Sequence, residues 1–163
     1  MTGMLFSALT FAAVLGSGIA AGLFFIFSNT IMASLARLPA AHGIAAMQQV
    51  NLTIINPFFM TVFMGMVAIS LALAAKAVLG WSEAGSAWLL AGSLAYLLGC
   101  FLVTMVFNVP LNDALAATDP ASAEGAALWA RYLAEWLPWN HVRTVACLAS
   151  LASFAMAFSA ARG

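Results

Sequence analysis

The residues of this chain that could do chemistry fall into two short polar segments. Residues 136–144 read Trp-Leu-Pro-Trp-Asn-His-Val-Arg-Thr and place one of only two histidines and one of only five Lys or Arg residues at the start of an apolar stretch. Residues 108–113 read Asn-Val-Pro-Leu-Asn-Asp and close the apolar stretch before it. Because polar and ionisable groups are costly at membrane depth, we interpret the two segments as halves of one site.

His141 and Arg143 are the two residues in 136–144 whose side chains can carry a charge. A neutral imidazole titrates near neutral pH and can act as a general base, although a lone histidine near a membrane surface is as often structural. Arg143 falls in the first turn of an apolar helix, where the helix dipole disfavours a cation. It can extend to the lipid headgroups, pair with Asp113, or hold an anionic substrate oxygen through its planar donor fork. The first two roles are the commoner ones.

Several uncharged polar residues accompany these two. Asn108 and Asn112 are four residues apart and share one helix face if the helix continues through Pro110, so both are candidates for lining a cavity. Asn51 and Asn140 also offer donors and acceptors, although such residues more often cap helices or satisfy backbone groups near prolines.

Trp136 and Trp139 are the aromatic residues of the same segment. Tryptophans at the end of a span usually anchor it at the membrane surface. These two can also form the wall of an aromatic pocket that stacks a flat ligand. Both interpretations stay open from the sequence.

The sequence gives little support for a metal or a nucleotide cofactor. His42 and His141 are far apart in the chain, and neither belongs to a His-x-x-x-His or Glu-x-x-His pair. Phosphate loops and dinucleotide fingerprints are absent as well. Cys100 and Cys147 lie inside apolar stretches, so we interpret them as small buried hydrophobic residues and neither as a disulfide pair nor as metal ligands.

The elements that must position these residues are transmembrane helices. Of 163 residues, 65% are hydrophobic and 6% are charged, whereas soluble domains are about 45–50% apolar. The formal net charge is zero, so nucleic-acid binding has no electrostatic support. Residues 1–27 carry no Lys or Arg, which favours a retained transmembrane helix over a signal peptide.

Four stretches reach the roughly 20 apolar residues needed to cross a bilayer. They are residues 4–27, 57–79, 87–107 and 142–161. An amphipathic helix starting at Asp119-Pro120 is predicted between the third and fourth spans. The predicted fold is therefore all-α, an integral membrane four-helix bundle with an additional interfacial helix, in a single transmembrane domain over residues 1–163. With four spans, the two long connections that carry the polar residues lie on one side of the membrane.

Several blocks of the sequence resemble one known family. They are GLFFIFS at 22–28, MQQVN at 47–51, NPF at 56–58, NVPLNDAL at 108–115, and Trp136 with WNHVRT at 139–144. Together, in this order, they are similar to the anthrone oxygenase-like family of small four-span membrane proteins, long catalogued as a domain of unknown function. The resemblance covers nearly the whole chain, and the Asn-x-Pro-x-Asn and Trp-Asn-His-x-Arg-Thr blocks are its most specific parts. Its characterised members convert an anthrone to an anthraquinone in polyketide pathways without an evident cofactor, while many bacterial members have no assigned role.

The resemblance implies a membrane-embedded oxygenase that uses O2 and a hydrophobic, flat phenolic substrate, with no organic cofactor. From the spacing of the histidines, no metal site is predicted. On this hypothesis His141 removes the acidic CH2 proton, and Arg143, Asn108 and Asn112 stabilise the enolate oxygen. The His141→Ala variant then loses turnover and keeps its fold. The candidate substrate-binding residues are Trp136, Trp139, Asn140, Asn51 and Asp113. The expected location is the lipid bilayer of the bacterial inner (cytoplasmic) membrane.

A rival hypothesis is a non-catalytic membrane protein that binds a lipid or a quinone, or that supports a larger membrane complex. The polar cluster is then structural, and replacing His141 or Arg143 costs stability or assembly. A metal-dependent oxidase is a third, less favoured alternative. The substrate, the membrane orientation and the oligomeric state, a homo-oligomer included, stay open at this point.

Overall fold

A computed structural model describes residues 2–161 and shows an all-helical protein. Its five helices are α1 (Gly3–Leu35), α2 (Ala40–Ile54), α3 (Pro57–Leu79), α4 (Ser86–Ala116) and α5 (Ala123–Ala160). Four of them, α1, α3, α4 and α5, are long and apolar enough to cross a membrane. The described residues contain no strand. The predicted all-α class and the four membrane-spanning helices are confirmed.

The four spanning helices form a ring in which each contacts two others. α1 packs against α3 and α5, and α4 packs against the same two helices from the opposite side. Small residues allow this close approach. A Cβ atom on Gly16 of α1 would lie 2.5 Å from Met66 Sδ of α3, and one on Gly92 of α4 would lie 3.0 Å from the Phe154 ring of α5. Such small residues are what helices in lipid use to pack closely.

The fourth spanning helix is much longer than the predicted span. α5 has 38 residues, about 57 Å at 1.5 Å per residue, against about 30 Å of hydrocarbon core. The interfacial helix predicted as a separate element is the first part of α5. It begins at Ala123, where Ser122 Oγ accepts a hydrogen bond from Gly125 N at 2.9 Å. Pro138 lies inside the helix without ending it, as membrane helices tolerate.

The connection between the first two spans is also largely helical. α1 continues to Leu35 through a π-helical turn at Phe27–Ile31, and α2 occupies most of the chain between α1 and α3. α3 begins at Pro57, where Asn56 Oδ1 accepts from Phe59 N at 3.0 Å. Proline in the first helical position and an Asn cap explain this start.

A second apolar layer lies beyond the ring, where α2 meets the projecting parts of α1, α4 and α5. Its buried residues are Met32, Ile44, Met47, Leu111, Leu115, Trp129, Tyr132 and Trp136. The last three stack along α5, with centroid distances of 5.5 and 5.8 Å between successive rings. This layer extends the bundle at the end that carries the polar segments. Within the ring itself, Cys100 and Cys147 are buried and free, as predicted.

Candidate functional site

A cavity of about 380 Å³ lies where the ring of spanning helices meets the second apolar layer. All five helices contribute to its lining. The wall is mostly aliphatic, aromatic and methionine side chains, and its polar members are Asn51, Thr104, Asn112 and Arg143. An apolar cavity of this size with a few converging polar groups is the usual form of a small-molecule site.

Arg143 is the one charged residue among the described lining residues, and it is 5% exposed. Its Nη2 donates to Asn140 Oδ1 at 2.7 Å and its Nη1 to Thr104 Oγ1 at 3.3 Å. The guanidinium carbon lies 4.3 Å from the centroid of the Phe24 ring and 4.9 Å from that of Trp136. Two aromatic faces and two neutral acceptors therefore hold this cation in place.

No carboxylate compensates the charge of Arg143 within residues 2–161. The ion pairs found there are Lys76–Glu83 and Arg131–Glu135. Asp113, one of the partners considered from the sequence, is exposed and lies outside the cavity lining. Arg143 is thus a buried cation with neutral neighbours, which is an unusual state for a protein charge.

Asn140 positions Arg143 and does not itself line the cavity. It is fully buried, and its Nδ2 donates to Phe24 O at 2.8 Å and to Ser28 Oγ at 2.7 Å. Thr144 Oγ1, which donates to Asn140 O, also lies 3.3 Å from Ser28 Oγ. These bonds tie α5 to α1 at the level of Arg143 and fix the orientation of the guanidinium.

Asn108 and Asn112 lie on the same helix, because α4 continues through Pro110. Asn112 lines the cavity, and its Oδ1 accepts from Tyr132 Oη at 2.8 Å and from Trp136 Nε1 at 2.9 Å. Asn108 does not line it. It is fully buried and donates from Nδ2 to Trp136 O at 3.1 Å. Of the two, the structure brings only Asn112 to the cavity.

Asn51 reaches the cavity from α2. It lies beside the Tyr132 hydroxyl, yet its Nδ2 is buried and makes no hydrogen bond of normal geometry. Asn51 is one of the candidate substrate-binding residues predicted from the sequence, and it reaches the cavity because α2 folds back over the site.

His141 and Trp139 lie outside the cavity lining. His141 is exposed, with Nδ1 2.9 Å from Ser28 Oγ. The Trp139 ring stacks on Phe107, with centroids 3.6 Å apart and planes 8° from parallel. These placements do not support His141 as the base that deprotonates a ligand in the cavity, or Trp139 as its wall.

The helical repeat explains this division of the residues in 136–144. Positions 136, 140 and 143 follow the i, i+4, i+7 spacing of one helix face, and 139 and 141 point elsewhere. Thr104 and Phe24 were missed by sequence reasoning. Thr104 had a usable signal, because it is the one polar residue in the run FLVTMVF at 101–107. Within the described chain, no group of three or more His, Cys, Asp or Glu is placed to hold a metal ion.

The cavity lining reaches the protein surface between α3 and α4, and also between α2 and α3 at Ile55, which is 69% exposed. Met60 and Met64 on α3 and Met105 on α4 line it and are 36–46% exposed. Because both helices are long and apolar enough to span a membrane, we infer that the gap between α3 and α4 opens toward the lipid. Methionine side chains are unbranched and adaptable, so they suit an opening that must pass a ligand of fixed shape.

A family model described as anthrone oxygenase matches residues 59–153. The chain belongs to the anthrone oxygenase family. The matched region covers more than half of the sequence and includes Thr104, Asn112, Trp136 and Arg143, whereas Asn51 lies before it. Searches of curated proteins and of solved structures found no match. The resemblance read from the sequence is confirmed, and with its four spanning helices the chain is a membrane protein of this family.

Proposed function

We propose that this anthrone oxygenase family member is a membrane-embedded oxygenase of a flat, phenolic, membrane-soluble substrate, of the anthrone-to-anthraquinone type. The observation that carries the proposal is the cavity, which is apolar and holds one buried guanidinium without a carboxylate partner. Family membership supports the reaction class. The proposed location is the bacterial inner membrane, which cell fractionation tests.

In the proposed reaction, the protein needs only to bind the substrate and to stabilise its negative charge. An anthrone has an acidic CH2 opposite its carbonyl group, and loss of a proton gives an enolate with its charge on oxygen. The enolate gives an electron to O2, and recombination of the two radicals forms a peroxide at the former CH2 carbon. Protonation and loss of water leave the second carbonyl group. One anthrone and one O2 thus give one anthraquinone and one water, with no organic cofactor required by the balance.

Arg143 stabilises the enolate oxygen in this proposal. A preoriented donor in a dry site lowers the energy of developing negative charge far more than the same group in water does. Thr104 and Asn140 already hold two of its nitrogens, so the guanidinium needs no reorganisation when the anion forms. The described lining contains no His, Asp or Glu, so in this proposal the CH2 proton is released to water at the membrane surface before the substrate enters the cavity.

Aromatic side chains give the ring system of the substrate its binding surface. Phe27 and Trp136 pack with centroids 5.9 Å apart on one side. Phe59 and Phe63 stack at 5.3 Å on α3. All four line the cavity, and flat aromatic faces of this kind favour a planar ligand.

The direct test is oxygen consumption by the purified, metal-analysed protein supplied with an anthrone. We expect uptake with an equal amount of quinone formed, and a loss of about a hundredfold or more in Arg143→Gln, the size seen when an oxyanion-binding donor is removed. Arg131→Gln is the matched control, because Arg131 is on the same helix but is exposed and paired with Glu135. No uptake by the wild-type protein, or full activity in Arg143→Gln, contradicts the proposal.

The sideways opening favours a second candidate function, the non-catalytic binding of a lipid or a quinone. Exposed methionines at the lipid-facing edge of the cavity suit an occupant that arrives from the bilayer. In that case a lipid or quinone copurifies with the protein and is lost in Arg143→Gln, while no anthrone is oxidised. Mass spectrometry of the purified protein separates this candidate from the first.

A further inference from the structure

A second, smaller cavity lies between α1 and α3. It has a volume of about 140 Å³, and we call it the side cavity. Ile19 and Ala20 on α1 and Val62 on α3 line it and do not line the larger cavity. Ile19 is 50% exposed, and both helices are long and apolar enough to span a membrane. The mouth of the side cavity therefore lies on the lipid side of the α1–α3 contact, away from the gap between α3 and α4.

The side cavity is apolar. The one polar residue in its described lining is Asn56, and the amide of Asn56 is already used at the start of α3. Its Oδ1 accepts from Phe59 N and its Nδ2 donates to Thr53 O, both at 3.0 Å. In another protein, an apolar cavity of about 150 Å³ stays dry and takes up xenon or benzene. The side cavity thus suits a small apolar molecule and is too small for a compound of three fused rings.

The two cavities share part of their walls. Leu23 on α1, and Phe59 and Phe63 on α3, line both of them. The two phenylalanine rings stack with centroids 5.3 Å apart, and Phe59 is only partly buried. Side chains that are not fully buried change rotamer rapidly. A small displacement of these side chains opens a path between the cavities for a diatomic molecule but not for a ring system.

The proposed reaction requires a second apolar substrate, O2, at the reacting carbon of the bound ring system. O2 is apolar, so it is more concentrated in the hydrocarbon of a bilayer than in water. A ring system that has entered between α3 and α4 obstructs that gap while it is bound. A separate entry from the lipid, between α1 and α3, gives O2 a route that the bound substrate does not close.

We propose that the side cavity takes up O2 from the lipid and delivers it to the larger cavity past Phe59 and Phe63. This inference rests on the proposed function and assigns the route of its second substrate. The two substrates then enter on different faces of α3. Binding of O2 is weak and transient, because apolar contacts alone hold it.

The first test detects O2 in the side cavity without measuring activity. Dissolved O2 is paramagnetic and speeds the nuclear relaxation of methyl groups that it approaches. Ala20 and Ala13 are matched reporters, since both are buried, at 5% and 0% exposed, both lie on one face of α1, and only Ala20 lines the side cavity. In isotope-labelled protein in detergent, we expect O2 to raise the relaxation rate of the Ala20 methyl severalfold more than that of Ala13.

The second test narrows the mouth of the side cavity. Ile19→Trp places a large ring there, and Leu15→Trp is the control, because Leu15 lies one turn away on α1, is 53% exposed and lines neither cavity. We expect Ile19→Trp to abolish the excess relaxation of Ala20 and to raise KM for O2 severalfold. The KM for an anthrone and the kcat at saturating O2 stay unchanged, since binding of the ring system and the chemistry are not altered. Val62→Phe fills the side cavity from α3 and gives the same result, so the test does not depend on one variant.

The outcomes distinguish this inference from the proposed oxygenase function. Equal relaxation of the two alanines overturns the O2 site even if the protein oxidises an anthrone, and a lipid or detergent chain that fills the side cavity gives this result. Excess relaxation of Ala20 without anthrone oxidation overturns the oxygenase function and leaves the O2 site standing. If an anthrone is oxidised and Ile19→Trp and Leu15→Trp have the same KM for O2, the side cavity is not the route and the proposal is wrong.

Discussion

Arg143 illustrates how a charge can be kept inside an apolar site. The guanidinium is almost completely buried, and neutral groups surround it: the rings of Phe24 and Trp136, and the acceptors on Thr104 and Asn140. Cation–π contacts and hydrogen bonds offset part of the desolvation cost and leave the positive charge uncompensated. A site built in this way stabilises negative charge on whatever occupies the cavity.

Asn140 is expected to matter both for stability and for the placement of Arg143. In Asn140→Ala three hydrogen bonds are lost, and at about 0.6 kcal/mol each in a membrane protein the free energy of unfolding falls by about 2 kcal/mol. Anthrone oxidation falls as well, because the guanidinium loses its shortest hydrogen bond. Thermal unfolding in detergent and oxygen uptake measure the two effects. Asn29→Ala, an exposed amide on α1, is the control, and equal behaviour of the two variants contradicts the prediction.

His141 is expected to contribute much less to turnover than Arg143. It is exposed and lies outside the cavity lining, so it does not reach a ligand bound beside Arg143. We therefore expect His141→Ala to consume oxygen about tenfold or more faster than Arg143→Gln does. A loss of about a hundredfold in a folded His141→Ala protein, as expected for a general base, restores the role assigned from the sequence.

At the scale of helices, α5 is the element that organises the site. Because it continues through Pro138, Trp136, Asn140 and Arg143 lie on one face of a single helix. α4 faces it with two π-helical stretches, Ala95–Leu102 and Thr104–Asn108. Such stretches are frequent at functional sites, and each changes the direction of the side chains beyond it. Asn112 then connects α4 to α5 through two hydrogen bonds.

Asn112→Leu is expected to be strongly destabilising. It removes the acceptor of Tyr132 Oη and of Trp136 Nε1, which leaves two buried donors unsatisfied and costs about 2–4 kcal/mol. Tyr132→Phe removes one donor and costs less. In the double variant the effects are not additive, because Tyr132→Phe removes one of the groups that Asn112→Leu leaves unsatisfied. Unfolding of the wild type, the two single variants and the double variant in detergent measures this coupling. If the losses in the free energy of unfolding are additive, Asn112 is not the shared acceptor.

At the scale of the whole molecule, the cavity lies at the junction between the spanning ring and the layer that projects beyond it. Its opening between α3 and α4 is at the level of the membrane-spanning helices. In the proposed function, a substrate that partitions into the bilayer therefore reaches the site without crossing water. This arrangement suits a flat aromatic compound of low solubility.

Narrowing the opening is expected to raise KM more than it lowers kcat. Met64→Trp places a rigid ring at the edge of the cavity, where Met64 is 44% exposed. Leu71→Trp is the control, because Leu71 is on the same face of α3, similarly exposed at 56%, and away from the cavity. We expect a severalfold rise of KM for an anthrone delivered in lipid vesicles only in Met64→Trp, since a bulkier side chain at the opening hinders access of the substrate. Equal KM values in both variants contradict access through this opening.

Local composition was enough to predict the class of the protein. Runs of apolar residues predicted four spanning helices, and the even number of spans predicted that the polar segments meet at one end. Both properties depend on local composition and on the cost of exposing polar backbone to lipid, so they can be read without knowing how the helices pack. The motif blocks at 108–115 and 139–144 indicated the family for the same reason, because they are contiguous in the chain.

Which polar residues face the cavity depends on how the helices pack. Arg143, Asn112 and Asn51 do, whereas His141 and Trp139 do not. A helix turns by about 100° per residue, so the direction of each side chain depends on the rotation of its helix against its neighbours. That rotation is set by packing among five helices, by the π-helical turns and by the position of α2, all of which are long-range properties. The residue types of a motif do not show these long-range properties, so they could not show which side chains face the cavity.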